Sequence, residues 1–212
     1  MEFILQSAND YALKHSSKTD ELLGEIHALT VQEHPEAHML SGPLQGIFLT
    51  MISKMIKPKR ILEIGTFVGY SALCLAKGLD TGGVLHTIEK REQDAERSKQ
   101  YIDRSSHRNN IIVHVGDASA IIETLEEDWD LIFIDADKTG YLSYYQQLID
   151  KVRSGTWFII DNVLFHGEVL KEKITGKNAK AITDFNEYIK EDDRVEKVML
   201  TIRDGITLMY KK

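Results

Sequence analysis

Cysteine is nearly missing from this chain: Cys74 is the only one in 212 residues, so no disulfide can close within it. Proline is scarce too, with three in all, and no low-complexity stretch, internal repeat or linker marks a domain boundary. Long apolar runs are lacking. Nothing approaches the roughly 20 residues of a membrane span, and the run near the start, Phe3 to Leu5, has no basic lead and is too short for a signal peptide. Basic residues are outnumbered 26 to 33, giving a formal net charge of −7. Proteins that hold nucleic acid mainly through phosphate contacts usually show the reverse balance. The expectation is a cytoplasmic protein with no membrane attachment and, on charge alone, a mild bias against nucleic acid.

Apolar residues at 42% and charged residues at 28% are ordinary globular values, enough to bury a core. The length suits a single domain over 1–212, read as a helical cap over 1–57 and a sheet core over 58–212. In the cap, Leu5, Ala8 and Ala12 fall on one helical face, and Leu22, Leu23, Ile26 and Leu29 on another. A third helix is expected from about Pro43 to Met55, with Pro43 in its first turn. After Pro58 come five Ile- and Val-rich runs, RILEIG, GGVLHTIE, NIIVHVGD, WDLIFIDAD and GTWFIIDN, with helical patterns between them. Strands alternating with helices imply a parallel, doubly wound α/β sheet, and near-continuous apolar strands imply burial on both faces. RVEKVMLTI and ITLMYKK around Asp204-Gly205 read as an added antiparallel hairpin, for seven strands in all.

Ligands in such sheets bind beyond the carboxyl ends of the strands. The first strand ends Glu63-Ile64-Gly65, and Gly65 and Gly69, four apart, make a tight glycine turn. Phe67 stands where a dinucleotide fingerprint needs its middle glycine, which argues against a nicotinamide cofactor and leaves an oxidoreductase as a remote alternative. Glu89 ends the second strand, 26 residues on from Glu63; it suits a ribose diol or a helix-start acid equally. Asp117 either caps the next helix or lines an adenine pocket while it caps. Asp135 closes the fourth run, with Asp137 and Lys138 behind it, and Asp161-Asn162 closes the fifth. If these two strands are neighbours, Asp135, Asp161 and Asn162 converge as a hard oxygen set suited to Mg²⁺, with Mn²⁺ or Ca²⁺ as alternatives, rather than Zn²⁺. His34 and His38 read as a surface pair without a role, His166 as a residue in the loop near a substrate, and Cys74 as core.

Taken together these motifs resemble the cation-dependent class I O-methyltransferases of the catechol and caffeoyl-CoA type. LEIGTFVGYSAL is similar to their first motif, FIDADKTGYLSYY to their metal and lysine motif, and IIDNVLFHGEV to their Asp-Asn motif. MLSGPLQGIFL resembles the segment before their first strand, and the likeness runs from about residue 25 to 212. It implies a Rossmann-like methyltransferase fold and S-adenosylmethionine as methyl donor. Glu63, Gly65 and Gly69 would shape the cofactor turn, Ser71 and Met39 would lie at the methionine end, and Glu89 would take the ribose hydroxyls. Asp117 and Ala118 would sit by the adenine. Asp135, Asp161 and Asn162 would hold the metal, Asp135 also lying near the cofactor, and Lys138 would stand beside the acceptor hydroxyl. The resemblance also implies a homodimer and a small-molecule hydroxyl acceptor, catechol-like or hydroxycinnamoyl. A tRNA hydroxyuridine is the alternative acceptor within the family, kept open by Lys171, Lys173, Lys177 and Lys180.

Overall fold

The computed structural model describes residues 5–212, so of the Phe3–Leu5 run only Leu5 is described. Three helices open it: α1 (Gln6–Lys14), α2 (Glu21–Glu33) and α3 (Gly42–Ile56). The Asp20 carboxylate caps α2 by accepting from the Leu23 amide at 2.9 Å, supplying a partner for one of the free N–H groups of the first turn. Gln45, Leu49 and Ser53 form the buried stripe of α3 at i, i+4, i+8, and Pro43 sits in its first turn as expected. The first helix departs from expectation. None of its residues is buried, Leu5 is 73% exposed, and only Ala12 of the expected apolar face is partly covered. Two alanines and a terminal leucine offer too little apolar area to hold a nine-residue helix against the core.

The sheet has seven strands in the order β3-β2-β1-β4-β5-β7-β6. β1 (Arg60–Ile64), β2 (Val84–Glu89), β3 (Ile111–Val115), β4 (Leu131–Ile134) and β5 (Trp157–Asp161) run parallel. β6 (Val195–Leu200) and β7 (Ile206–Lys211) form an antiparallel hairpin, and β7 pairs antiparallel with β5. This is the doubly wound sheet with an antiparallel hairpin that the sequence implies. α4 (Tyr70–Ala76) and α5 (Glu92–Asp103) pack with α2 and α3 on one face, over Ile61, Phe133 and Ile159. α6 (Ala118–Thr124), α7 (Tyr141–Ile149) and α8 (Lys177–Lys190) cover the other, over Leu62, Ile132, Phe158 and Ile160. Each fully buried Leu, Ile or Phe of these layers contributes about 1.5–3 kcal/mol. Burial on both faces holds for β1, β4 and β5 and fails at the edges, where β3 and most of β6 are partly open.

Two details differ from the sequence reading. The β6–β7 connection is five residues, Thr201 to Gly205, with both Arg203 (φ 48°) and Gly205 (φ 84°) left-handed, rather than the three residues Arg203-Asp204-Gly205. α8 lies in a segment where the sequence reading places no helix. At the centre, Gly65 (φ 106°) leaves β1 so close to β4 that a Cβ there would overlap the Asp135 carbonyl. The chain order reverses between β1 and β4, and that contact sets the floor of the crevice the reversal opens.

Candidate active site

The carboxyl ends of β1 to β5 open into a cavity of about 540 Å³. Of the residues expected around the cofactor, Met39, Gly65, Ser71, Glu89, Asp117, Ala118 and Asp135 line it. Glu63 and Gly69 do not; they shape the turn from behind. Glu63 is fully buried on the α4 side of β1. Its Oε2 accepts from the Thr87 hydroxyl at 2.5 Å, and its Oε1 has no hydrogen-bond partner. Burial pushes its pKa up to about 8 against the lowering pull of the Ser71 and Thr87 hydroxyls, and the Asp135 and Glu89 charges add to the rise.

Phe67, which breaks the dinucleotide pattern, is held left-handed at φ 49°, a conformation that costs a side-chain-bearing residue about 1–2 kcal/mol. Glu89 stabilises it. Its Oε2 accepts from the Phe67 amide at 2.7 Å, and its Oε1 from the Arg91 amide at 2.9 Å. Each carboxylate oxygen keeps a lone pair for a diol, so Glu89 shapes the turn and still faces the cavity. The Phe67 ring meets His34 edge-on at 4.6 Å and lies 5.4 Å from the Arg91 guanidinium. The histidine pair is therefore split. His38 is exposed and lines the cavity, while His34 is half-buried, with its Nε2 2.9 Å from Asp94 Oδ1. Asp117 does cap α6, accepting from the Ala120 amide at 3.3 Å, and lines the cavity as well. Met39 ends the short turn before α3, and Ser71 sits in the first turn of α4.

The other end of the cavity is ionic. β4 and β5 are neighbours, which brings Asp135, Asp161 and Asn162 together. Lys138 Nζ donates to Asp135 Oδ1 at 3.0 Å, to Asn162 Oδ1 at 2.7 Å and to the Tyr141 hydroxyl at 2.7 Å. Tyr141 spends its own proton on the Asp161 carbonyl at 3.1 Å. Three acceptors round one amine nitrogen require three N–H bonds, so Lys138 rests as the ammonium. Asp161 is 2% exposed; its Oδ1 accepts from the Asn162 amide at 2.8 Å and its Oδ2 from Gln45 Nε2 at 2.5 Å. Gln45 Oε1 in turn accepts from Arg203 Nη1 at 2.6 Å. Burial, and then the nearby Asp135 charge, raise the Asp161 pKa above the usual carboxylate range. Among the described residues no group of three or more His, Cys, Asp or Glu is placed to hold a metal. The set here is two carboxylates and an amide oxygen, and the Lys138 ammonium shows that Asp135 and Asn162 already aim at a cation. A hard divalent ion fits that donor set.

Phe165, His166, Asn178, Arg203 and Asp204 also line the cavity. His166 is exposed, and its amide donates to Asp204 Oδ1 at 2.6 Å. Lys171, Lys173, Lys177 and Lys180 do not line the cavity, and Lys171 is paired with Glu168 at 2.6 Å. Cys74 is core, as expected. Sequence reading misses Tyr141, Gln45, Arg203 and His34 as parts of this site. The spacing of Lys138 and Tyr141 carries a signal, three residues apart across one helical turn; nothing in the sequence links Arg203 to Gln45.

Known proteins resemble this chain in sequence and fold. The O-methyltransferase family matches residues 13–212. A probable caffeoyl-CoA O-methyltransferase of Dictyostelium discoideum is 32% identical over 209 residues, covering 95% of this chain and 90% of its own. A catechol O-methyltransferase of Niastella koreensis is 32% identical over 202 residues, covering 91% and 90%. The solved O-methyltransferase TomG of Streptomyces achromogenes, in complex with S-adenosylmethionine, superposes with a TM-score of 0.88 at 27% identity over 99% of this chain and all of that one.

Proposed function

This chain belongs to the O-methyltransferase family and is an S-adenosylmethionine-dependent enzyme of the caffeoyl-CoA and catechol type; from that premise we propose that it methylates one hydroxyl of a catechol-like or hydroxycinnamoyl small molecule with the help of a divalent cation. Asp135, Asp161 and Asn162 would hold the ion, Mg²⁺ by preference. The observation that carries this reading is the Lys138 ammonium, set between Asp135 Oδ1 and Asn162 Oδ1 beside a third, buried carboxylate-bearing residue, Asp161.

A phenolic hydroxyl has a pKa near ~10 and is mostly protonated at neutral pH. The bound cation would supply positive charge that favours the acceptor's oxyanion, and the cofactor supplies a methyl group on a positively charged sulfur. The protein's own residues do the rest. Lys138 has every N–H committed, so an arriving oxygen replaces one of its three partners and receives a charge-assisted hydrogen bond in exchange. Tyr141 faces Lys138 with a lone pair, because its proton points to the Asp161 carbonyl, and this keeps the ammonium aimed into the cavity. Glu89 anchors the cofactor turn, and the β1–β4 contact fixes that turn relative to Asp135. Alignment of this kind can contribute roughly 7–11 kcal/mol to rate.

Transfer of labelled methyl to catechols, hydroxycinnamoyl thioesters and bulk tRNA, with Mg²⁺ or excess EDTA, tests the reading. Methylation of a small catechol that EDTA abolishes is expected. Full activity in EDTA would sink the cation, and exclusive methylation of tRNA would sink the acceptor class. The working form is proposed to be a homodimer. Tyr11 and Leu13 on α1, Met51 and Met55 on α3, and Val198 and Met199 on β6 leave apolar side chains exposed, and light scattering reads the mass directly. No helix among the described residues is long and apolar enough to cross a membrane; the setting is proposed to be cytoplasmic.

A further inference from the structure

We propose that Gln45 and Arg203 are positioning residues that orient the Asp161 carboxylate and thereby set how tightly the site binds its cation. The inference rests on the cation reading above and concerns two side chains that hydrogen-bond to neither the cofactor turn nor Lys138.

A glutamine side chain carries an accepting oxygen and a donating nitrogen of nearly equal size, and its neighbours decide which faces which way. A guanidinium can only donate. Arg203 Nη1, 2.6 Å from Gln45 Oε1, therefore fixes the oxygen on its own side. The amide nitrogen then has one direction left, towards Asp161 Oδ2 at 2.5 Å. With the Asn162 amide on Oδ1 at 2.8 Å, each Asp161 oxygen receives one N–H. The carboxylate plane is locked, and the remaining lone pairs are the ones free to face an ion.

Arg203 is itself held in place. Its Nη2 donates to the Leu40 carbonyl at 3.2 Å, and its backbone is left-handed at φ 48° in the β6–β7 turn. Gln45 is 1% exposed in the first turn of α3. The relay thus joins the segment before β1 to the last hairpin, across 158 residues of sequence. A buried amide could have been satisfied by a backbone group at hand; here it spans from a fixed cation to a ligand carboxylate. Partners of this kind, behind metal ligands, typically alter metal affinity about 10–100-fold when removed.

The experiment uses the full chain with S-adenosylhomocysteine bound, no acceptor, and Mn²⁺ as the probe, free Mn²⁺ being read by electron paramagnetic resonance. Gln45→Met keeps the volume and removes both polar atoms; Arg203→Met removes the lock. Each is expected to weaken Mn²⁺ binding by about 10-fold or more, while affinity for S-adenosylhomocysteine stays within about threefold. The double variant should lose little beyond Gln45→Met alone, because Arg203 acts through Gln45, whereas independent effects would multiply. With saturating Mg²⁺ most of kcat should return, the defect lying in the metal's KM. If Gln45→Met does not fold, Arg203→Lys carries the test, with a smaller loss of Mn²⁺ affinity at unchanged S-adenosylhomocysteine affinity. Unchanged Mn²⁺ affinity in the folded variants, or multiplying losses in the double variant, overturns the relay. A wild-type protein that binds S-adenosylhomocysteine but no Mn²⁺ overturns the cation reading itself, and the relay with it.

Discussion

Replacing Glu63 by glutamine should make the protein more stable, and increasingly so as pH rises. The ordinary glutamate pKa of 4.5 moves to about 8 in the fold, chiefly through burial. Between those values the folded protein holds a proton that the unfolded chain has released. The favourable contribution is fully present below 4.5 and is lost as pH climbs through 8. At about 1.36 kcal/mol per pH unit, the loss comes to roughly 3 kcal/mol by pH 7 and roughly 4 by pH 8. A glutamine at this position would have no proton to lose. Its oxygen can still accept from Thr87, and its amide hydrogens would occupy the place where Glu63 Oε1 has no partner. Urea unfolding of both proteins in EDTA, without cofactor, at pH steps from 5 to 8 measures the difference directly. Other titrating groups are common to both proteins and largely cancel. The gap should open from under about 1 kcal/mol at pH 5 to several at pH 8. Parallel stability curves, or a variant that loses ground as pH rises, would refute the reasoning.

Three further substitutions have expected outcomes. Gly65→Ala places a Cβ on the Asp135 carbonyl at a φ of 106°; it should cost at least about 3 kcal/mol in denaturant unfolding and abolish binding of S-adenosylhomocysteine in calorimetry. Lys138→Met should leave that binding near normal and lower turnover about 10²–10³-fold, and an unchanged kcat would remove Lys138 from the chemistry. Glu89→Gln exchanges a carboxylate that accepts two backbone N–H groups for an amide that can accept through one atom only; cofactor affinity should fall about 10-fold or more, and a normal dissociation constant would contradict its anchoring role.

Much of this is legible in the sequence because the signals are local. Apolar runs ending in an acid mark β2, β4 and β5, and their acids Glu89, Asp135 and Asp161 lie by the crevice, whereas Glu63, inside β1, is buried behind it. Asp135, Asp161 and Asn162 can be grouped because one assumption, that β4 neighbours β5, suffices. The parts that escape are those set by distant partners. His34 looks like half of a surface pair, since nothing local announces that Asp94 and Phe67 close over it. Phe67 looks like a defect in a glycine pattern, since its left-handed backbone is supported by a carboxylate 22 residues on. Arg203 sits in a hairpin turn that is longer than its Asp-Gly pair suggests, and its partners Leu40 and Gln45 lie more than 150 residues earlier. The apolar face expected of α1 rests on three small or terminal residues, and periodicity alone does not weigh their area.

The hairpin has a consequence for biosynthesis. β5 pairs with β4 on one side and with β7 on the other. Until residues 206–211 have been made and docked, β5 is the outer strand of the growing sheet, and its Trp-Phe-Ile-Ile-Asp run presents an unpaired row of backbone groups along a strongly apolar segment. Such edges invite pairing with other chains. The closing hairpin therefore acts as a seal as much as a support, and nascent or shortened chains lacking β7 should be the species that aggregate, even though every cofactor-turn residue is already in place.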